Sequence, residues 1–153
     1  MSLNRDFIGH EAPPGEPLEV TRGDIRRFAT AIGDDNPACH DRAAAQALGY
    51  ADVVAPPTFL IVASTSGSLG GIIRDPELGL NYAMVVHGEQ SFDFHRPVMA
   101  GDVLNTVARI QDIRAVGRNE LLTLVVEVTS NGEPVATVTN TLVSRGTADP
   151  KQA

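Results

Sequence analysis

The chain is poor in the residues that most often announce a compartment, a metal or a polyanionic partner. It has one cysteine, Cys39, so no intrachain disulfide can form and nothing implies an oxidising compartment. Tryptophan is absent, aromatics make up 5% of residues, and the four histidines are scattered rather than set at zinc-ligand spacing. No glycine-rich phosphate loop follows a strand, so neither a metal nor a nucleotide cofactor is expected. Positive charge is in deficit: 12 Lys and Arg face 19 Asp and Glu, for a formal net charge of -7. That balance argues against a sequence-independent grip on nucleic acid or anionic lipid. No apolar stretch is long enough to cross a bilayer, and residues 1–17 lack the basic start and apolar run of a signal peptide. No membrane insertion and a cytoplasmic setting are therefore expected.

What is present fits one domain spanning residues 1–153. The composition, 42% hydrophobic and 20% charged, is that of a chain able to bury a single core. Pro13, Pro14 and Pro17 predict a flexible, extended arm over about residues 1–17 that donates little to a sheet. A short edge strand follows at Leu18-Glu19-Val20. Thr21 then caps a helix, with Asp24 three residues on in the manner of a capping box, and Gly33 closes it. Ile25, Phe28, Ala29 and Ile32 fall on one buried stripe of that helix.

After the polar stretch 33–41, Asp41 caps a second short helix that ends at Gly49. Ala55-Pro56-Pro57-Thr58 predicts the first turn of a third helix near Thr58. Its body, Phe59 to Ala63, is apolar all round and so belongs in a core. From residue 81 the period becomes two. Strands are predicted ending at Pro97 and over residues 103–113, 120–128 and 135–143, the last two joined by an Asn131-Gly132 hairpin. Residues from about 146 read as a polar tail. The predicted fold class is α+β, a curved antiparallel sheet around a central apolar helix, with edges that invite a second copy.

The polar stretch draws the functional question. Asp34, Asp35, Asn36, Cys39, His40 and Asp41 place acid, base, amide and thiol between two helices, where a base and an acid can reach one substrate atom. The same residues are also turn formers and caps, and both readings stand on residue type alone. His40 reads equally as an exposed loop residue, and Cys39 as a small buried filler. Arg96, Arg109, Arg114 and Arg118 are available to meet phosphate, or simply form a solvated face.

Asp34-x-Asn36-Pro37, Asp41, Ala47-Leu48-Gly49-Tyr50, Ala55-Pro56-Pro57-Thr58-Phe59, Val86-His87-Gly88-Glu89-Gln90-Ser91-Phe92 and Arg96-Pro97-x-x-Ala100-Gly101-Asp102 succeed one another along nearly the whole chain. Together they resemble the MaoC-like hot-dog hydratases and dehydratases, and most of all the small substrate-binding subunits of heterodimeric (3R)-hydroxyacyl-ACP dehydratases. The resemblance implies a hot-dog fold, a homodimer or a heterodimer with a catalytic hot-dog subunit, and an acyl-CoA or acyl-ACP thioester as substrate. It implies no cofactor. In catalytic members an Asp and a His flank a water that adds across a trans-2-enoyl thioester to give the (3R)-3-hydroxyacyl thioester, or leaves in reverse.

Carried over residue by residue, the catalytic candidates are Asp34, Asp35 and His40. The substrate-binding candidates are Asn36, Tyr50, Pro56, Pro57, Thr58, His87 and Gln90. Two departures stand out. The catalytic pattern reads Asp-x-Asn-Pro-x-His, but Cys39 fills the His slot and His40 comes one residue late. Catalytic members also place a glycine amide on the thioester oxyanion where this chain has Pro56, which carries no N–H. The expected function is a hydratase/dehydratase subunit, feeble alone and active beside a catalytic partner. A self-sufficient homodimeric hydratase using Asp34 or Asp35 with His40, a non-enzymatic acyl-thioester binding or scaffold module, and a hot-dog thioesterase are the alternatives.

Overall fold

The computed structural model describes residues 2–149. Its centre is one antiparallel sheet in the order β1-β3-β4-β5-β2. The strands are β1 (Leu18–Glu19), β2 (Val85–Phe94), β3 (Val103–Val116), β4 (Asn119–Ser130) and β5 (Glu133–Ser144). Among the described residues five α-helices accompany it: α1 (Arg22–Ile32), α2 (Pro37–His40), α3 (Arg42–Ala47), α4 (Leu60–Ser66) and α5 (Leu69–Ile73). The sheet curls around α4 and α5. Leu60, Ala63, Leu69 and Ile72 are buried in one cluster with Leu104, Ile110, Leu122, Leu124 and Val126 of the strands. This is the hot-dog arrangement. Among the described residues no helix is long and apolar enough to cross a membrane.

Several local signals act as their chemistry dictates. The Thr21 hydroxyl accepts from the Asp24 amide at 3.1 Å while the Asp24 carboxylate accepts from the Thr21 amide at 3.0 Å, a reciprocal capping box. Gly33 ends α1 at φ 72°. Asn131 and Gly132 both take positive φ, 52° and 79°, which is the requirement of a tight two-residue hairpin. In α1, Ile25 and Ala29 are fully buried, but Ile32 is 51% exposed rather than part of the buried stripe. It is the last residue of the helix, where the chain turns off the sheet at Gly33.

The structure departs from the sequence reading at the arm and at the central helix. The arm expected to be flexible is packed down: Leu3 and Ala12 are buried, and the amides of Gly9, Ala12 and Gly15 donate to the carbonyls of Ile110, Ala108 and Thr106 on β3. The prolines lack N–H groups, but Gly9 and Ala12 before them and Gly15 between them supply the donors. The central helix, expected as one apolar cylinder from Thr58, begins at Leu60 and breaks at Gly67 into α4 and α5. Ser68, at the break, is a three-way tie. Its hydroxyl accepts from the Ala108 amide at 2.9 Å and donates to the Pro13 carbonyl at 2.8 Å, and its amide donates to Thr106 Oγ1 at 3.2 Å. Ile61 and Val62 remain half-buried, because the sheet wraps only one side of α4.

Candidate functional site

The polar stretch after α1 is not a loose loop. Asp34 Oδ1 accepts from the Asn36 amide at 3.0 Å, and Asn36 Oδ1 in turn accepts from the Ala38 amide at 3.1 Å, which caps α2. Pro37 sits in the first turn of α2, where its missing N–H costs nothing. Asp41 ends α2 and caps α3 through the Ala44 amide at 2.8 Å. These bonds fix the orientation of Asp34, Asn36 and Asp41 around one turn of helix. A carbonyl oxygen can only accept, so the ring nitrogen Nε2 of His40, 2.7 Å from the Asp34 carbonyl, is the donor in that bond.

This turn forms one wall of a cavity of about 500 Å³. Asp34, Asn36, Ala38 and Cys39 line that wall; Leu48 and Tyr50 come next, from the end of α3; Val54 to Pro57 come from the approach to α4; Phe94 to Val98 close it from the end of β2. The walls are mostly apolar with a few polar groups, as acyl-binding sites require. Of the candidate residues, the structure brings together Asp34, Asn36, Tyr50, Pro56 and Pro57. Asp35, His40, Thr58, His87 and Gln90 are not in the lining: Asp35 and Thr58 are exposed, and His87 and Gln90 lie on β2.

Burial, aided by the nearby negative charge of Asp34, pushes the Cys39 thiol above its ordinary value, so it stays protonated at neutral pH and is a poor nucleophile. Among the described residues no group of three or more His, Cys, Asp or Glu is placed to hold a metal ion.

The family description "FAS1-like, dehydratase domain region" matches residues 6–138. The chain belongs to the FAS1-like dehydratase domain region family. It is 53% identical to a UPF0336 protein of Parafrankia sp. (strain EAN1pec), over 99% of this chain and all of that one. Among solved structures it is similar to the C-terminally truncated HadBC (3R-hydroxyacyl-ACP dehydratase) complex of Mycobacterium tuberculosis, with 28% identity, TM-score 0.80, and coverage of 92% of this chain and 99% of that one. A MaoC-like dehydratase matches at 32% identity and TM-score 0.79, over 91% of this chain but 42% of its own. The MaoC-like hot-dog resemblance read from the motifs is borne out.

In this FAS1-like dehydratase domain the sequence reading missed the far wall, Phe94 to Val98, and the cavity position of Cys39. The position of Cys39 was readable, since it occupies the fifth place after Asp34 that the catalytic pattern gives to His. The far wall was not, because it is joined to the near wall only by the sheet. Arg96, proposed among the phosphate-binding arginines, is committed elsewhere. Its guanidinium makes two bonds to the Asp102 carboxylate, at 2.7 and 2.9 Å, and Asp102 also accepts from the Met99 amide at 2.9 Å and the Ser130 hydroxyl at 3.2 Å.

These bonds fix the turn that holds the far wall. Burial acts to raise the Asp102 carboxyl, but the bonds from Arg96, Met99 and Ser130 outweigh it and hold it below the ordinary carboxylate value. A group depressed in the folded state contributes stability that is complete above its unfolded pKa, about 3.9, and is lost as pH falls through the folded value. Asp102→Asn is therefore expected to cost roughly 1.5–3 kcal/mol at pH 7. That difference should shrink as the urea midpoints of the two proteins are compared from pH 5 downward.

Next to that turn, where the Ala100 amide donates to the Val53 carbonyl at 3.1 Å, Asp52, drawn down to about 2 chiefly by its hydrogen bonds from Arg22 at 2.7 and 2.9 Å, ties the start of α1 to the segment behind Val54.

Proposed function

We propose that the chain is a cytoplasmic hot-dog subunit of an (R)-specific enoyl-thioester hydratase/(3R)-3-hydroxyacyl thioester dehydratase, weak alone and active beside a catalytic hot-dog partner. The observation that carries this reading is the content of the cavity. It is an apolar chamber of about 500 Å³ with the Asp34 carboxylate in one wall, Cys39 where an imidazole belongs, and Pro56 where an amide donor belongs. Hydration needs a base for the water proton, an acid for the α-carbon and donors for the charge that grows on the thioester oxygen. The chamber offers the acyl group a place, but Cys39 and Pro56 withhold the imidazole and the amide donor at the two positions the catalytic pattern assigns them, and the imidazole in the lining, His95, stands on the far wall instead. His40, the nearest imidazole in sequence, commits Nε2 to the Asp34 carbonyl and stays outside the lining. The likeness to a chain of the HadBC complex supports pairing with a second hot-dog unit. So does the 42% share of the longer MaoC-like dehydratase, which leaves room there for another unit of this size.

The test is a hydration assay of the purified chain with crotonyl-CoA and longer trans-2-enoyl-CoA substrates, beside a MaoC-like hydratase that has both groups. Turnover is expected to be lower by at least ~10²–10³-fold, the worth of one lost oxyanion donor, while a saturated acyl-CoA still binds saturably. Brisk turnover abolished by His40→Ala or His95→Ala overturns the subunit reading in favour of a self-sufficient hydratase. Release of free CoA from a saturated acyl-CoA selects the thioesterase instead.

A further inference from the structure

Among the described residues, Gln90 Nε2, Asn140 Nδ2 and Ser144 Oγ are buried with no hydrogen-bond partner. Such atoms are rare in a folded chain, and each calls for a reason. Two of them come from residues that face each other, since Gln90 of β2 is in register with Asn140 of β5. Both are amide donors in want of an acceptor, and one donor cannot satisfy another. Ser144 stands farther along β5, opposite Val85 and away from the pair.

The pair lies on a continuation of the cavity. Phe94 lines the cavity, and Phe92 and Gln90 follow it on the same face of β2, opposite Ala136, Val138 and Asn140 of β5. The core covers this face of β5 but not of β2. Ala136, Val138 and Asn140 are buried, whereas Phe92 and Gln90 are half-buried and Phe94 is 41% exposed. The result is an open ledge that leads from the cavity over two stacked phenyl rings, with centroids 6.2 Å apart, to the two amides.

We propose that this ledge takes the tail of the acyl chain, and that Asn140 and Gln90 read one uncharged oxygen on that tail, a hydroxyl or a keto group. The proposal rests on the acyl-thioester reading of the cavity. Phe94 and Phe92 suit methylenes, and a single oxygen, with two lone pairs, accepts from both amides. None of the ledge residues carries a charge, so a carboxylate there would be desolvated without a cation. Selectivity comes from the donors. An unsubstituted chain laid over the ledge shuts water away from both and returns no bond, and a site built to bond an oxygen rejects the analogue that lacks it.

The strand also sets the distance. Rising about 3.3 Å per residue, β2 carries Gln90 roughly 13 Å beyond Phe94. An extended chain covers about 1.2 Å per bond, so the oxygen belongs roughly eleven bonds past the point where the chain crosses Phe94. Gln90, half-buried at the open side, can turn to admit it, while Asn140, 3% exposed, is fixed behind.

The test is calorimetric titration of the full chain with saturated acyl-CoA of dodecanoyl, tetradecanoyl and hexadecanoyl length, each plain, with an ω-hydroxyl and with a keto group beside the chain end. At the matching length an oxygenated member is expected to bind at least ~10-fold tighter than the plain one, the worth of two neutral hydrogen bonds. Asn140→Leu and Gln90→Leu are each expected to erase that ratio, strengthening the plain chain and weakening the oxygenated one. Melting curves show which variants fold, and Gln90→Leu, at the half-buried position, decides the matter if Asn140→Leu does not. Plain chains that bind with no oxygen preference at any length, or a preference that survives substitution in a folded variant, overturn the proposal and leave the acyl-thioester reading standing. A wild-type chain that binds no acyl-CoA, butyryl-CoA included, overturns both.

Discussion

Gly67→Val is expected to lower the melting temperature by about 10 °C. A Cβ at residue 67 would overlap Thr106 Oγ1 and lie 2.8 Å from the Ala63 carbonyl oxygen. Thr106 is buried on β3 and already accepts from the Ser68 amide, so it cannot swing away without leaving that donor unpaired. Overpacking costs about 1–3 kcal/mol and an orphaned buried donor roughly another 1–3. At ~2–4 °C per kcal/mol for a chain of this size, the sum reaches that shift.

The helix break also has the arm stacked on it. A Cβ on Gly15 would meet the Ser68 amide and fall 2.6 Å from backbone atoms of Gly67, so Gly15→Ala is expected to behave the same way. Gly71 is the control. It is exposed, with no atom within 4 Å of a built Cβ, and lies inside α5, so Gly71→Ala should leave the protein unchanged or stabilise it by up to ~1 kcal/mol. Differential scanning calorimetry of the three variants checks the set. A Gly67→Val protein melting within 2 °C of wild type, roughly 1 kcal/mol or less, would show that the approach of the helix break to β3 is not tight.

The same glycines show what the sequence made legible. Capping signals are local, so Thr21 with Asp24, Gly33, Asp41 and the Asn131-Gly132 turn were all readable, and with them the boundaries of α1, α3 and the β4–β5 hairpin. The period of two over residues 120–128 likewise marked β4 as a strand, and on its inner face Leu122, Leu124, Val126 and Val128 are all buried. What failed was whatever depended on a distant partner. The break at Gly67 was not readable, because only β3 and the arm explain it: Gly67 and Gly15 are small because two backbones and Thr106 meet there. The prolines of the arm argued correctly against a strand at their own positions and said nothing of the amides of Gly9, Ala12 and Gly15 around them.

The candidate site divides along the same line. Its near wall, residues 34–39, is one continuous segment, and the family pattern could be laid over it residue by residue. Its far wall arrives through the β2–β5 pairing. Such a site is legible in sequence only where its residues are neighbours.

Cys39→His combined with Pro56→Gly is expected to raise the hydration of crotonyl-CoA by the purified chain at least ~10³-fold, a general base being worth about 10²–10⁴ and an oxyanion donor about 10²–10³. Both positions line the cavity with Asp34. An imidazole at residue 39 has the chamber of about 500 Å³ beside it to enter, so the larger ring need not displace the core. A glycine at residue 56 restores the N–H that proline lacks, at a cost of about 0.4–1 kcal/mol through a freer unfolded chain.

Groups that act on one transition state are not additive. Each single variant should therefore fall well short of the double, and Asp34→Asn in the double background should return the rate to that of the wild type. Melting curves separate chemistry from misfolding. A folded double variant, still saturable by a saturated acyl-CoA and no faster than wild type, would mean that the two departures from the catalytic pattern do not set the rate of this cavity. The deficit would then lie in the placement of Asp34 itself, whose Oδ1 is held by the Asn36 amide, and the subunit reading would need a partner that supplies the carboxylate as well as the imidazole.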